Sequence, residues 1–111
     1  MFTIEYAAGL FEGEGYIRNV LRDQRKYKPL AEISVDMTDL DVIQNFLSAL
    51  DLDDIRITTK QQPKAHHRPL YRASITGRQR VADALSKMLP YFGQRRAYAA
   101  LNTLDLIDGC L

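Results

Sequence analysis

The stretch AAGLFEGEG, residues 7–15, sets three glycines and two glutamates at the end of an apolar segment. A glycine inside a helix costs about 1 kcal/mol relative to alanine. Two carboxylates held close repel unless a cation sits between them. Thr3 can cap a helix that continues through Ile4, Ala7, Ala8, Leu10 and Phe11 and ends at the glycines from 13 to 15. A simple helix stop accounts for Gly15 but leaves Gly9, more than a full turn earlier, unexplained.

The rest of the chain alternates between two periods. YIRNVLRDQ puts Ile17 and Leu21 on one side of a strand and Arg18, Arg22 and Gln24 on the other. RKYKP turns the chain. LAEISVDM then alternates more cleanly, with Ala31, Ile33, Val35 and Met37 inward and Glu32, Ser34 and Asp36 outward. Together they predict an antiparallel hairpin with a polar outer face. Thr38 or Asp39 caps a second helix with the stripe Val42, Ile43, Phe46, Leu47 and Leu50. DIRITTKQQ and RPLYRASI predict a second hairpin across the polar loop PKAHH, which holds His66 and His67. Gly77 opens a third helix with Val81, Leu85, Met88 and Leu89 inside, and Pro90 closes it. A last helix runs from about Gln94 to Ile107 and stops at Gly109. Tyr91, Phe92 and Tyr98 read as core or interface packing. The predicted order is α-β-β-α-β-β-α-α.

At 111 residues this is one domain, 1–111, and its 46% hydrophobic content suffices for a core. A domain of this size has a modest stability margin, which leaves room for a partner surface. No run of 18 apolar residues exists to span a membrane. The opening segment lacks the basic region of a signal peptide, and Cys110 is the single cysteine, so no internal disulfide or thiolate cluster forms. The expectation is an intracellular, non-secreted protein of a bacterial or phage cytoplasm or an organelle. Net charge is +1, yet the charges are segregated. Residues 29–55 hold seven acids and no Lys or Arg, while residues 56–80 hold seven basic residues and no acid. Residues 18–28 carry Arg18, Arg22, Arg25, Lys26 and Lys28 against Asp23. Two basic blocks around an acidic one can fold into one basic face; the other reading is ordinary solvated surface.

AAGLFEGEG resembles the LAGLIDADG motif of homing endonucleases. Ala8, Gly9, Leu10 and Gly15 match outright, Glu12 and Glu14 replace the two aspartates, Gly13 replaces a small alanine, and Ala7 departs from the leading leucine. The family's α-β-β-α-β-β-α unit matches the predicted order over nearly the whole chain. The resemblance implies an α+β fold, with an antiparallel, saddle-shaped sheet and helices on one face. It also implies a site-specific double-strand DNA endonuclease. One motif per chain implies a two-fold homodimer, with Ala8, Gly9, Glu12 and Gly13 at the helix-helix interface and the glycines removing side chains that would block close approach. A pseudo-palindromic target follows.

The same resemblance assigns the site. Glu14, at the motif's eighth position, would bind the divalent metal with the Gly13 carbonyl; Mg²⁺ is expected, or Mn²⁺, or Ca²⁺ in a non-cleaving complex. Glu12 would hold the partner helix or backbone amides. The family's basic residue before the last helix falls in YFGQRRAYA, where no lysine stands, so Gln94, Arg95 or Arg96 fills in, with Arg95 preferred. Asp39 falls where the family has a water-positioning residue, and serves equally as a helix cap. DNA would cross the outer face of the hairpins. Arg18, Val20, Arg22 and Gln24 project from the first strand, Glu32, Ser34 and Asp36 from the second, and Arg56, Thr58 and Lys60 from the third. Arg68 and Arg72 project from the fourth, whose register leaves Tyr71 as the rival to Arg72. Arg25, Lys26, Lys28 and Lys64 sit in turns and suit phosphates. The rival function is a non-cleaving DNA-binding regulator, or an RNA maturase that assists intron splicing on the same scaffold.

Overall fold

The computed structural model describes residues 2–20, 30–60 and 68–108. The expectations on Arg22, Gln24, Arg25, Lys26, Lys28, Lys64, His66, His67, Gly109 and Cys110 lie outside the described residues. The element order is α1 (Ile4–Glu14), β1 (Gly15–Val20), β2 (Leu30–Met37), α2 (Leu40–Ala49), β3 (Ile57–Lys60), β4 (Leu70–Thr76), α3 (Arg78–Met88) and α4 (Gln94–Asp108), with a 3₁₀ turn at Leu89–Tyr91. This is the predicted order, with one short turn added.

The four strands form one antiparallel sheet in the order β1-β2-β4-β3. Its inner face carries Ala31, Ile33, Val35, Ala73 and Ile75, all buried. The helices cover that face. Ala7, Ala8 and Phe11 of α1, Ile43, Phe46 and Leu47 of α2, and Val81, Ala84, Leu85 and Met88 of α3 complete the core. Phe11 is central, with its ring centroid 6.4 Å from that of Phe46 and 5.7 Å from that of Phe92. Thr103, the one buried polar residue among those described, donates its hydroxyl to Asn19 Oδ1 at 3.1 Å and ties α4 to β1.

Local chemistry sets the ends of the elements. The Thr3 hydroxyl accepts from the Tyr6 N–H at 3.2 Å and caps α1 as expected. The helix runs through Gly13 to Glu14 rather than ending at the first of the glycines, and turns into β1 at Gly15. A Cβ on Gly15 would collide with the Phe11 ring, so this corner admits only glycine. Gly77 precedes α3 at φ 95°, in the left-handed region that glycine reaches without strain.

Four expectations need correction. Asp39 stands at the N-terminal cap position of α2 but its side chain makes no capping hydrogen bond. β3 begins at Ile57, not at Asp54, because residues 50–55 are spent in turns: the Leu52 N–H donates to Leu47 O, the Ile55 N–H to Leu52 O, and Asp51 sits at φ 57°. Pro90 does not simply end the third helix; the 3₁₀ turn absorbs it, where its missing N–H is no loss. Of the three aromatics read as core or interface packing, Phe92 packs on Phe11, whereas Tyr91 and Tyr98, 50% and 70% exposed on the single chain, are not part of its core.

Candidate nucleic-acid interface and carboxylate site

Strand alternation places every second side chain on the uncovered face. The register lines these up in rows across the sheet. Arg18 lies opposite Glu32, and Glu32 opposite Thr76; Tyr16 lies opposite Ser34, and Ser34 opposite Ser74; Asp36 lies opposite Arg72, and Arg72 opposite Thr58. Val20 closes β1 opposite Leu30. The fourth-strand register is thereby settled. Arg72 belongs to the outer row with Asp36, while Tyr71, opposite Met37 and Thr59, packs half-buried against the core. Arg56, Thr58 and Lys60 are exposed along the β3 edge.

The Asp36–Arg72 pair is the strongest polar contact on this face. Arg72 donates from Nε to Oδ1 at 2.6 Å and from Nη2 to Oδ2 at 2.7 Å. The hydrogen bonds from Arg72 hold the Asp36 carboxyl below its usual range, and the same bonds raise the Arg72 pKa further. The Thr58 hydroxyl donates to the Arg72 carbonyl at 3.4 Å. Arg68 lies before β4 and donates to Asp39 Oδ1 at 3.5 Å and to the Thr38 hydroxyl at 3.2 Å, which accounts for the Asp39 side chain leaving the cap.

Glu14 ends α1 and is exposed. It lines a cleft of about 380 Å³ with Tyr16, Ser34, Asp36 and Arg72, so α1 delivers its last carboxylate onto the uncovered sheet face. Among the described residues Glu14 makes no ion pair, and no group of three or more acids, histidines or cysteines gathers there. A cation held there would find one free carboxylate and space for water and phosphate oxygens, a donor set that suits Mg²⁺ better than an all-protein cage.

Glu12 turns the other way, into its own chain. Its Oε1 accepts from the Gly93 N–H at 3.2 Å, and its carbonyl accepts from Arg96 Nη2 at 3.2 Å. Its Oε2 is enclosed without a hydrogen bond, with Arg96 Nε 4.0 Å away. Arg96 also lies over the Phe11 ring, 5.1 Å from its centroid. Arg96 is therefore committed to holding α4 against α1. Arg95 is exposed and lines a second cleft, of about 310 Å³, with Gly15, Tyr16, Arg96 and Ala99. Tyr16 borders both clefts and is 60% exposed. Sequence reasoning passed it over, although it shares the parity of Arg18 and directly follows the acid-glycine corner.

On α1, Gly9 and Gly13 are exposed, and a Cβ on either would meet nothing within 4 Å. Ala8, just before Gly9 and expected beside it at the helix-helix interface, is instead wholly buried in this chain's own core.

No protein-family model and no curated protein sequence matches the chain. Solved structures do. The homing endonuclease I-CvuI in complex with its target superposes at TM-score 0.70 and 19% identity, over 95% of this chain and 65% of that one. The archaeal intron-encoded homing endonuclease I-Vdi141I, complexed with DNA, gives 0.70 at 15% identity, over 96% of this chain and 67% of that one. The LAGLIDADG homing endonuclease I-GzeII, in complex with its DNA target, gives 0.74 at 7% identity, over 99% of this chain and 36% of that one. The chain thus spans about two thirds of the length of the first two proteins and just over a third of the last. It has the LAGLIDADG homing endonuclease fold.

Proposed function

We propose that this chain, built on the LAGLIDADG homing endonuclease fold, is one subunit of a homodimeric, divalent-metal-dependent endonuclease that cuts double-stranded DNA at a pseudo-palindromic site. One observation carries the reading. α1 ends in a free, exposed carboxylate, Glu14, that opens onto the same cleft as the outer-face polar groups Ser34, Asp36 and Arg72. An acid at the edge of a surface suited to DNA is the arrangement that phosphodiester hydrolysis needs.

Each residue has a separable role. Glu14, with the Gly13 carbonyl, would hold the cation, and a bound divalent ion supplies a water of lowered pKa and neutralises phosphate charge. Arg95 stabilises the anionic phosphate but cannot shuttle protons, because guanidinium stays protonated. Glu12 ties the start of α4 to the end of α1 by accepting from the Gly93 N–H. Arg18, Glu32, Ser34, Arg56, Thr58 and Lys60 face the groove, where strand side chains can reach base edges. The bare faces of Gly9 and Gly13 receive the same helix of a second copy, and the two-fold brings two Glu14 carboxylates together. I-GzeII, which has room for more than one such unit, is consistent with a two-unit assembly. I-CvuI was crystallised with its target and Ca²⁺, which supports a divalent cation in a DNA complex of this fold.

The test is a supercoiled plasmid library carrying randomised inserts, incubated with the protein in Mg²⁺ or in EDTA. Linear product that depends on Mg²⁺ and maps to a shared insert sequence is expected. Specific retention of inserts with no cutting in Mg²⁺ or Mn²⁺ would move the protein to the non-cleaving regulators, and retention of structured RNA instead would move it to the maturases.

A further inference from the structure

Exposed ion pairs contribute little to stability, and many contribute nothing measurable. The Asp36–Arg72 pair is built differently. It joins the two inner strands of the sheet, β2 and β4, close to the end of β2 and the start of β4. Its side chains are 33% and 42% exposed, so each is partly fixed by its surroundings. The two contacts, at 2.6 and 2.7 Å, are short and parallel. The Arg72 backbone beneath them is gripped by Thr58.

The donors decide what such a pair can do. A guanidinium has five N–H groups in one plane. Arg72 turns the Nε–H and one Nη2–H to Asp36. The other Nη2–H and the Nη1–H beside it point out at the end of the plane, with no hydrogen-bond partner among the described residues. Two donors at that spacing match O6 and N7 of guanine, the commonest specific contact in the major groove. The pair is net neutral, so it is a poor phosphate anchor, and phosphate attraction is left to unpaired cations. Its side chains are already ordered, so little rotamer entropy is lost on binding.

We infer that Asp36 and Arg72 form one preassembled base-reading unit, in which Asp36 is the positioning residue and Arg72 donates to a guanine in the major groove. This rests on the DNA-binding reading above and gives Asp36 a positioning role, since each of its oxygens accepts from Arg72. The cleft also holds Glu14, so the guanine falls at the inner end of each half-site, beside the phosphate to be cut.

The experiment exposes wild type, Arg72→Ala and Asp36→Asn to a library of randomised duplexes in Ca²⁺, sequences the retained DNA, and measures the salt dependence of binding to the winning duplex. Wild type should enrich guanine at one inner position per half-site. Both variants should lose that preference by roughly 5- to 150-fold, with the other positions unchanged. The salt slope of Arg72→Ala should match wild type, and Asp36→Glu should restore part of what Asp36→Asn loses. If Arg72→Ala does not fold, Arg72→Lys keeps the charge without the fork and should show the same loss. Wild-type guanine preference in Asp36→Asn would overturn the inference. So would a uniform loss on all sequences with a shallower salt slope in Arg72→Ala. A wild type that enriches no sequence would overturn the DNA-binding reading itself, and this inference with it.

Discussion

At the scale of single residues, the site is made by side chains that refuse their simplest role. Asp39 stands at a cap position yet turns to Arg68, and Arg96 stands beside the acid-bearing corner yet is held by Glu12 and Phe11. Neither fact is written in the local sequence, because each depends on a residue at least 29 positions away. The place of Glu14 at the end of α1, by contrast, followed from the glycines around it. The Asp36–Arg72 pair gives a pH prediction. Arg72 depresses the folded-state pKa of Asp36, so the stabilisation is fully present above the unfolded value of about 3.9 and is lost as pH falls through the lower folded value. Urea denaturation should show wild type more stable than Asp36→Asn by at most about 1 kcal/mol at neutral pH. The gap should close in strong acid. A gap that stays constant down to pH 2 would mean that Asp36 does not titrate with the fold. In the core, Phe11→Ala should cost about 3–5 kcal/mol in the same assay, since Phe11 is fully buried between Phe46 and Phe92.

At the scale of elements, α1 does two things at once. Its Ala7, Ala8 and Phe11 side is sealed into the core, while its Gly9 and Gly13 side faces open space. That division was readable from the sequence only in part: Ala8 and Glu12 were expected on the interface face with the glycines, whereas Ala8 is buried in the core and Glu12 turns to Gly93, which leaves Gly9 and Gly13 on the open side. β2 was plainer, its alternation leaving one register. β4 was not: RPLYRASI supports either Tyr71 or Arg72 outward, and only cross-strand pairing with Asp36 and Thr58 decides it. The open face of α1 yields a two-part prediction. Gly13→Leu should leave the circular dichroism of the chain unchanged, because nothing lies within 4 Å of the new side chain's Cβ. On the proposed homodimer, light scattering should nevertheless report a monomer for the variant and a dimer for wild type. Gly15→Leu should instead unfold the chain, since its Cβ would enter the Phe11 ring. A Gly13→Leu variant that still dimerises would place the interface elsewhere.

At the scale of the whole molecule, the sheet separates two tasks. The helical side holds the core and the glycine face, and the uncovered side gathers acids, arginines and hydroxyls in aligned rows. The segregation of charge along the chain hinted at a basic face. Among the described residues the outer rows interleave Glu32 and Asp36 with Arg18 and Arg72, because antiparallel pairing brings an acidic block against basic ones. Binding to DNA should still be salt-dependent, with a log-log slope near −0.9 per phosphate neutralised. Lys28→Ala should weaken all sequences alike and make that slope shallower by about 1 for each phosphate it no longer neutralises. The central claim is that Glu14 holds the metal for strand cleavage on a DNA-binding dimer. The most direct test compares wild type with Glu14→Gln, which keeps shape and removes charge. Plasmid cleavage is measured in Mg²⁺ and gel-shift affinity in EDTA. Cleavage by the variant should fall at least about a hundredfold, the loss expected when a required ion or ligand is removed, while its affinity for DNA holds or rises as negative charge leaves the phosphates. A variant that cuts as fast as wild type would contradict the account.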